Sequence, residues 1–301
     1  VAFTGDQVVL CPNVKWPCDN EAKWTLGDDQ NRVFCKSNAL RGRSEAALAN
    51  GGGMIVLAHV SDIHIDSEER SVARATQVFD YLNGLPGPLD AILVTGDLAD
   101  HGLAEEYEKV AKLFSNSPTL LHCPGNHDSR GPYREVLLGE ATAETPINQV
   151  HRVSGAVFAM CDSSIPGRPD GYLADETLTW LESVLVDAGD APVFVCFHHP
   201  PVALHAHFID SIRQTGEDRL AALISRYPNV VGILCGHAHT GAATTFAGLP
   251  LLVAPGVVST VMLPCETEEI ADLDLPPSIA FHVLDDDRRL TTHYRVVSPR
   301  L

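Results

Sequence analysis

The pattern that most constrains this chain runs from Met54 to Cys235. There, short aliphatic runs alternate with stretches of helical periodicity. In order they are MIVLAHV (54–60), RSVARATQVFDYLNGL (70–85), DAILVT (90–95), EEYEKVAKLF (105–114), TLLHC (119–123), AVFAMC (156–161), ETLTWLESVLVDA (176–188), PVFVCF (192–197), EDRLAALISRY (217–227) and VVGILC (230–235). Runs of this length, rich in β-branched residues and unbroken by polar ones, belong to strands buried on both faces. Strands alternating with helices predict an α/β architecture built on a largely parallel sheet. In the final third AATTFAG, LPLLVA, IAFHVL and LTTHYRVV change the character, predicting hairpins and a more antiparallel edge.

Residues 1–53 read differently, with mixed charge, little periodicity and an ending in ANGGG before Met54. Gly51 to Gly53 predict a flexible junction. The expected organisation is therefore an N-terminal extension over 1–53, whether native, cloning-derived or the product of an upstream reading frame, and a working domain over 54–301. Eight cysteines occur without a CxxC pair. Cys123, Cys161, Cys196 and Cys235 each end a strand-like run, where a free thiol serves as a small hydrophobe, and this usage suits a reducing cytoplasm. Cys11, Cys18 and Cys35 lack the spacing of strong zinc sites and read as unligated thiols. No signal peptide and no apolar run of roughly 20 residues is present, so a soluble protein without a membrane partner is expected. The formal net charge of −18 argues against a broad nucleic-acid surface, because affinity for phosphate backbones comes mostly from Lys and Arg.

Five of the predicted strands end in polar clusters. SDIH carries Asp62 and His64, TGDLAD carries Asp97, PGNHD carries Asn126, His127 and Asp128, FHHPP carries His198 and His199, and CGHAHTG carries His237 and His239. Ligands of open α/β sheets gather beyond the carboxyl ends of strands, so residues distant in sequence can meet there. Each cluster alone is also explained by a turn or a cap. Together they are not, because each places groups needing partners at the end of a buried strand.

In this order DxH, GD, GNHD, H and GHxH resemble the signature of the calcineurin-like metallophosphoesterases, over Met54 to nearly the C-terminus. GDLADHG, PGNHDSRG, CDSSIPG, FHHPPV and TTFAGLPLLVAPGV are most similar to the class III cyclic-nucleotide phosphodiesterases, while residues 1–53 match nothing in that family. The resemblance implies a four-layer α/β/β/α sandwich with two mixed β-sheets and two metal ions beneath an open cleft. It implies Asp62, His64 and His239 on one metal, Asn126, His198 and His237 on the other, and Asp97 bridging both. One carboxylate has two oxygens for two cations, and imidazole and amide donors add no further charge. Iron, manganese and zinc all suit such a donor set.

The chemistry implied is in-line attack on phosphorus by a hydroxide bridging the metals. His127 would contact the phosphate and protonate the leaving oxygen, and Asp128 would orient His127 or brace the loop. Asn126, His127 and His239 would touch substrate, and His205 and His207 would shape the entrance or lie on the surface. A small phosphodiester is the expected substrate, with 3′,5′-cyclic AMP the leading candidate. The alternative is a broader phosphodiesterase acting on 2′,3′-cyclic nucleotides, glycerophosphodiesters or aryl phosphodiesters. A silent scaffold is disfavoured because no candidate ligand is missing, and a nuclease because the chain is acidic. A homodimer accords with the family, although nothing in the sequence marks an interface. His199 reads as supporting the site, His59, His122 and His282 as packed strand residues, and Asp100 and His101 as supports of the GD loop or parts of a turn.

Overall fold

A computed structural model describes residues 53–117 and 119–298, with the backbone of four short strands before them, Ala2–Thr4, Gln7–Val9, Lys23–Leu26 and Val33–Lys36. The side chains of Cys11, Cys18 and Cys35 lie outside the described part. The chain divides into two units, Val1–Asn50 and Gly51–Leu301. In the first, the four strands pair antiparallel in twos.

The main elements of the second unit, in chain order, are β1 (Ile55–Val60), α1 (Glu69–Asn83), β2 (Ala91–Thr95), α2 (Ala104–Phe114), β3 (Leu120–Cys123), β4 (Gln149–Val153) and β5 (Ala156–Met160). They continue with α3 (Asp175–Asp187), β6 (Val193–Cys196), α4 (Glu217–Ile224), β7 (Val230–Cys235), β8 (Ala242–Phe246), β9 (Leu249–Val253), β10 (Ser278–Leu284) and β11 (Leu290–Val296). One sheet has the order β11-β10-β1-β2-β3 and the other β8-β9-β7-β6-β5-β4. In the first, β1, β2 and β3 are parallel, and β10 and β11 add antiparallel strands. In the second, β5, β6, β7 and β9 are parallel, with β4 and β8 antiparallel at the edges.

Strand periodicity decides how these sheets pack, since successive side chains point to opposite faces. Leu57 and Leu93 enter one core with Phe158, Phe194 and Leu234 of the other sheet. Their neighbours Ala58, Val60, Ile92 and Val94 face a second core with Val78, Phe79, Leu82, Tyr107 and Val110 of α1 and α2. Val157, Ala159, Val193 and Val195 face a third with Leu181 and Leu185 of α3 and Leu220 and Leu223 of α4. Three cores separate four layers, as the resemblance implies. Within the middle core the rings of Phe158 and Phe194, partners on neighbouring strands of one sheet, stack at 5.0 Å. Truncating Leu57 or Leu93 to Ala would cost about 2–5 kcal/mol in lost transfer energy and cavity.

Cys123, Cys161, Cys196 and Cys235 are free and buried in these cores. Burial pushes their thiols far above the ordinary range, which makes them inert packing groups. Among the described residues, no helix is long and apolar enough to cross a membrane.

The parallel strands of both sheets deliver their carboxyl ends to the same edge. There the Val257 amide donates to the Ser61 carbonyl, tying the two sheets together, and the Gly236 amide donates to that of His198, tying neighbouring loops of one sheet. The loop after β1 is tied to the one after β2, His64 N–H donating to the Asp97 carbonyl at 3.0 Å.

Candidate metal centre

At this edge the backbone leaves ordinary conformations. Asp62, His64, Asp97, His237 and His239 have φ of 55°, 41°, 49°, 68° and 51°. Left-handed conformations are uncommon for residues with a Cβ and cost of order 1–3 kcal/mol each, so they persist where the surroundings enforce them. The surroundings here include two glycines valued for space. A Cβ on Gly96 would lie 2.4 Å from His198 Nδ1, and one on Gly125 2.1 Å from Asp97 Oδ1. The GD and GNHD motifs thus carry glycine because loop and side chain nearly touch.

Asp62, His64, Asp97 and His239 form one cluster with donor atoms within 4.8 Å of one another, and His198, His199 and His237 form a second. Asp97 Oδ2 lies 3.4 Å from His64 Nε2 and 3.2 Å from His198 Nε2. That single carboxylate therefore stands between the two halves. Asp62 Oδ1 is 3.4 Å from His239 Nε2 and 3.8 Å from His198 Nε2. Asn126 Oδ1 is 3.1 Å from His199 Nε2.

The outer nitrogens of these rings reveal what the inner ones offer. His64 Nδ1–H donates to Asp100 Oδ1 at 2.8 Å, and His198 Nδ1–H to the Thr95 carbonyl at 2.6 Å. His239 Nδ1 is paired with Ser259 Oγ at 2.7 Å. A neutral ring whose Nδ1 donates has a lone pair at Nε2. These inner nitrogens nevertheless crowd together: His64 Nε2 lies 3.2 Å from His239 Nε2, and His198 Nε2 lies 3.3 Å from His237 Nδ1. Buried lone pairs and carboxylates converging in this way form a donor set that fits divalent cations.

Electrostatics describe the charge the site holds: despite burial, Asp100 and Asp97 raise His64 and Asp97 raises His198, so these rings keep a proton that a bound cation would displace. Burial disfavours the Asp97 carboxylate, but the His198 and His64 rings outweigh that and hold it well below the usual range. Burial and the Asp97 charge raise Asp62 despite His198 nearby. Burial likewise opposes protonation of His198, yet Asp97 and Asp62 push it up to about 9. His237 and His239 are each lowered to about 3, by burial first and then by the neighbouring rings of His198 and His64 respectively.

The flanking residues sort themselves by contact. His127 is the exposed member of the group, and its Nδ1–H donates to the Asp100 carbonyl at 2.8 Å. Its ring meets that of His64 edge-on at 4.5 Å. Of the two roles open to Asp128, the structure supports bracing. Its carboxylate accepts from the amides of Gly125, Leu98 and Ala99 and from the Tyr107 hydroxyl, while the contact that orients His127 comes from Asp100. Burial, then the Asp97 charge, raise Asp128 to about 6.

His199 is buried, its Nδ1 on Ser163 Oγ at 2.8 Å and its Nε2 on Asn126 Oδ1 at 3.1 Å. His205, on the loop that follows, and His207, at the start of the short helix His207–Ser211, are exposed, and His207 borders a cavity of about 400 Å³ with Phe208, Met262, Glu268 and Glu269. His101 pairs with Glu106. His59 and His282 are buried within the sandwich and bonded to each other. His122 is lowered to about 4 by burial, then by His151. Sequence reading missed Ser163, Thr95 and Ser259, which look like ordinary loop and strand residues, and it left Asp100 between two roles.

The sequence model of the calcineurin-like phosphoesterase family matches residues 55–241. A glycerophosphodiester phosphodiesterase of Enterobacter lignolyticus is 34% identical over 76% of this chain and 86% of its own length. A cAMP/cGMP dual specificity phosphodiesterase of Mycobacterium tuberculosis is 31% identical over 68% of each. Among solved structures, a dimetal phosphatase from Danio rerio aligns with a TM-score of 0.60 at 16% identity, covering 82% of this chain and 98% of that one. That likeness speaks to the fold alone.

Proposed function

Because the chain belongs to the calcineurin-like phosphoesterase family, we propose that it hydrolyses small phosphodiesters at the edge where the two sheets deliver Asp62, His64, Asp97, Asn126, His198, His237 and His239. The observation that carries this reading is the position of Asp97, with one carboxylate oxygen 3.4 Å from His64 Nε2 and 3.2 Å from His198 Nε2. In this reading Asp62, His64 and His239 hold one metal ion, Asn126, His198 and His237 hold the other, and Asp97 joins them. Two such cations, when bound, supply Lewis acidity to the phosphoryl oxygens and lower the pKa of an attacking water.

The chain's own residues do the rest. Asp100 fixes His64 through Nδ1, Thr95 fixes His198 and Ser259 fixes His239, so that the inner nitrogens are already aimed at the site, and His198, pushed up to about 9, gives up its Nε2 proton when a cation binds. His199 holds the Asn126 side chain by its amide oxygen. His127, anchored at Nδ1, receives a proton from solvent and passes it from Nε2 to the departing oxygen. Asp128 keeps the Asn126–His127 turn against the loop after β2.

The leading substrate is 3′,5′-cyclic AMP, supported by likeness to the mycobacterial cAMP/cGMP enzyme. A second reading, glycerophosphodiesters, is supported by the Enterobacter relative. Both substrates present the same diester to the same donors, so choice between them belongs to the entrance around His205 and His207. Comparing kcat/KM for 3′,5′-cyclic AMP, 2′,3′-cyclic AMP, glycerophosphocholine and bis(p-nitrophenyl) phosphate on manganese-loaded protein tests the reading. Preference for 3′,5′-cyclic AMP is expected. Faster cleavage of glycerophosphocholine would move the assignment to the second reading, and no turnover of any diester would end both.

A further inference from the structure

Unsatisfied polar atoms are rare in buried positions, and each calls for an explanation. Two belong to one residue outside every motif discussed so far. Gln214 is 1% exposed, and both its Oε1 and Nε2 are buried without a hydrogen-bond partner. A third is Nε2 of His237, the nitrogen opposite the Nδ1 that faces His198.

The backbone puts Gln214 beside the metal centre. It lies in a short strand, Gln214–Thr215, pairing in parallel with Arg168–Tyr172 so that Gln214 stands opposite Gly171. Its amide donates to the Pro200 carbonyl, one residue beyond His199. Partners in register point to the same face of a sheet. In this pair Tyr172 and Thr215 are exposed, whereas Gly171 and Gln214 are buried. The buried face lies on His199, because a Cβ on Gly171 would be 2.5 Å from His199 Cγ. The His199 ring in turn lies 4.5 Å from that of His237. The strand face that carries the orphaned amide thus lies on the histidine whose ring meets that of His237.

We propose that Gln214 is a positioning residue for His237, its amide oxygen accepting the Nε2–H of that ring when Nδ1 is given to a metal. The proposal rests on the metal-site reading above and adds a residue to it. The logic is that of every other ring in the site: a ligand histidine is held by the hydrogen bond at its other nitrogen, as Asp100 holds His64 and Thr95 holds His198. Of the four rings His64, His198, His237 and His239, His237 is the one whose outer nitrogen has no hydrogen-bond partner among the described residues, and the long, flexible Gln side chain has an acceptor to give it. An unpaired amide kept in a buried position is a cost to folding, as expected of a residue retained for the loaded state.

The test is manganese binding to full-length protein, measured by calorimetry, together with the melting temperature of the metal-free form. Gln214→Leu removes the amide and keeps the bulk. It is expected to melt at or above the wild-type temperature when metal-free, and to bind manganese about 10 to 100-fold more weakly at one of two sites, the range for outer partners of metal ligands. Gln214→Glu, which retains an acceptor, is expected to recover most of that loss. Should Gln214→Leu fail to fold, the second measurement is the His237 Nε2–H resonance in metal-loaded protein labelled with 15N-histidine. It is expected to shift between wild type and Gln214→Glu. Wild-type manganese affinity in Gln214→Leu, or an unmoved resonance, overturns the proposal. Wild-type protein that binds no metal would instead overturn the reading beneath it, so the two failures are distinguishable.

Discussion

Two sets of buried histidines occupy this fold, and they differ in where their nitrogens lead. In the sandwich interior, His59 and His282 complete a closed chain: Thr95 Oγ1 to His59 Nε2 at 2.8 Å, His59 Nδ1 to His282 Nε2 at 2.9 Å, and His282 Nδ1 to Thr292 Oγ1 at 2.8 Å. Each ring nitrogen has one partner, and a single direction of donation satisfies them all. At the strand ends, His64, His198 and His239 are paired only on their outer side, and their inner nitrogens meet one another and two carboxylates. Burial alone does not separate the two sets, since His198 is as fully buried as His59 and His282. What separates packing from chemistry is the direction in which hydrogen bonding is left open.

The sharpest way to break this contrast is Asp97→Ala. Removing the carboxylate that stands between the two clusters should lower kcat/KM by on the order of 10³-fold or more and reduce bound metal, read by elemental analysis. Unchanged turnover with full metal content would show that Asp97 serves neither cluster. Next in size is His127→Ala, expected to slow 3′,5′-cyclic AMP hydrolysis by roughly 10²–10⁴-fold while leaving metal content intact. The loss should be smaller for bis(p-nitrophenyl) phosphate, whose leaving group needs no proton; equal losses on both substrates would remove the general-acid role.

The interior pair supplies a control in stability. Burial, then the His282 ring, lower His59 well below its ordinary value, and burial lowers His282 to about 3. The unfolded chain therefore binds more protons than the folded one below the ordinary histidine value near 6.5. Their contribution is complete above that pH and is lost as pH falls towards 3, by up to about 1.4 kcal/mol per pH unit per ring. Comparing urea unfolding at pH 7.5 and 5.5, the His59→Leu/His282→Leu double variant should lose less stability than wild type on acidification. An identical slope would assign the acid sensitivity to the strand-end histidines instead. The smallest expected effect is that of removing residues 1–52, which should leave turnover and metal content unchanged; a collapse of either would join that segment to the working domain.

The strands and helices of the second unit were legible because aliphatic runs and helical periodicity report burial directly. The seven candidate ligands were legible because each follows such a run. Other features were hidden for physical reasons. Gln149–Val153 is an edge strand in which Gln149, His151 and Arg152 interrupt the two valines, so it carries no aliphatic run to detect. The strands Ser164–Ile165 and Gln214–Thr215 are too short for any period to show. Left-handed backbone at Asp62, Asp97 and His237 has no signature when the residue is not glycine. The division of labour between Asp100 and Asp128 depends on a backbone carbonyl of Asp100 that reaches His127, and a main-chain contact leaves no mark in the residue type.

The most direct measurement is calorimetric titration of metal-stripped full-length protein with manganese, followed by assay of the same sample on bis(p-nitrophenyl) phosphate. Two ions per chain are expected, with hydrolysis absent before the titration and rising as the sites fill. A chain that binds no manganese, or that cleaves the diester equally well after exhaustive chelation, would contradict the claim that the strand-end lone pairs converge to hold catalytic metal.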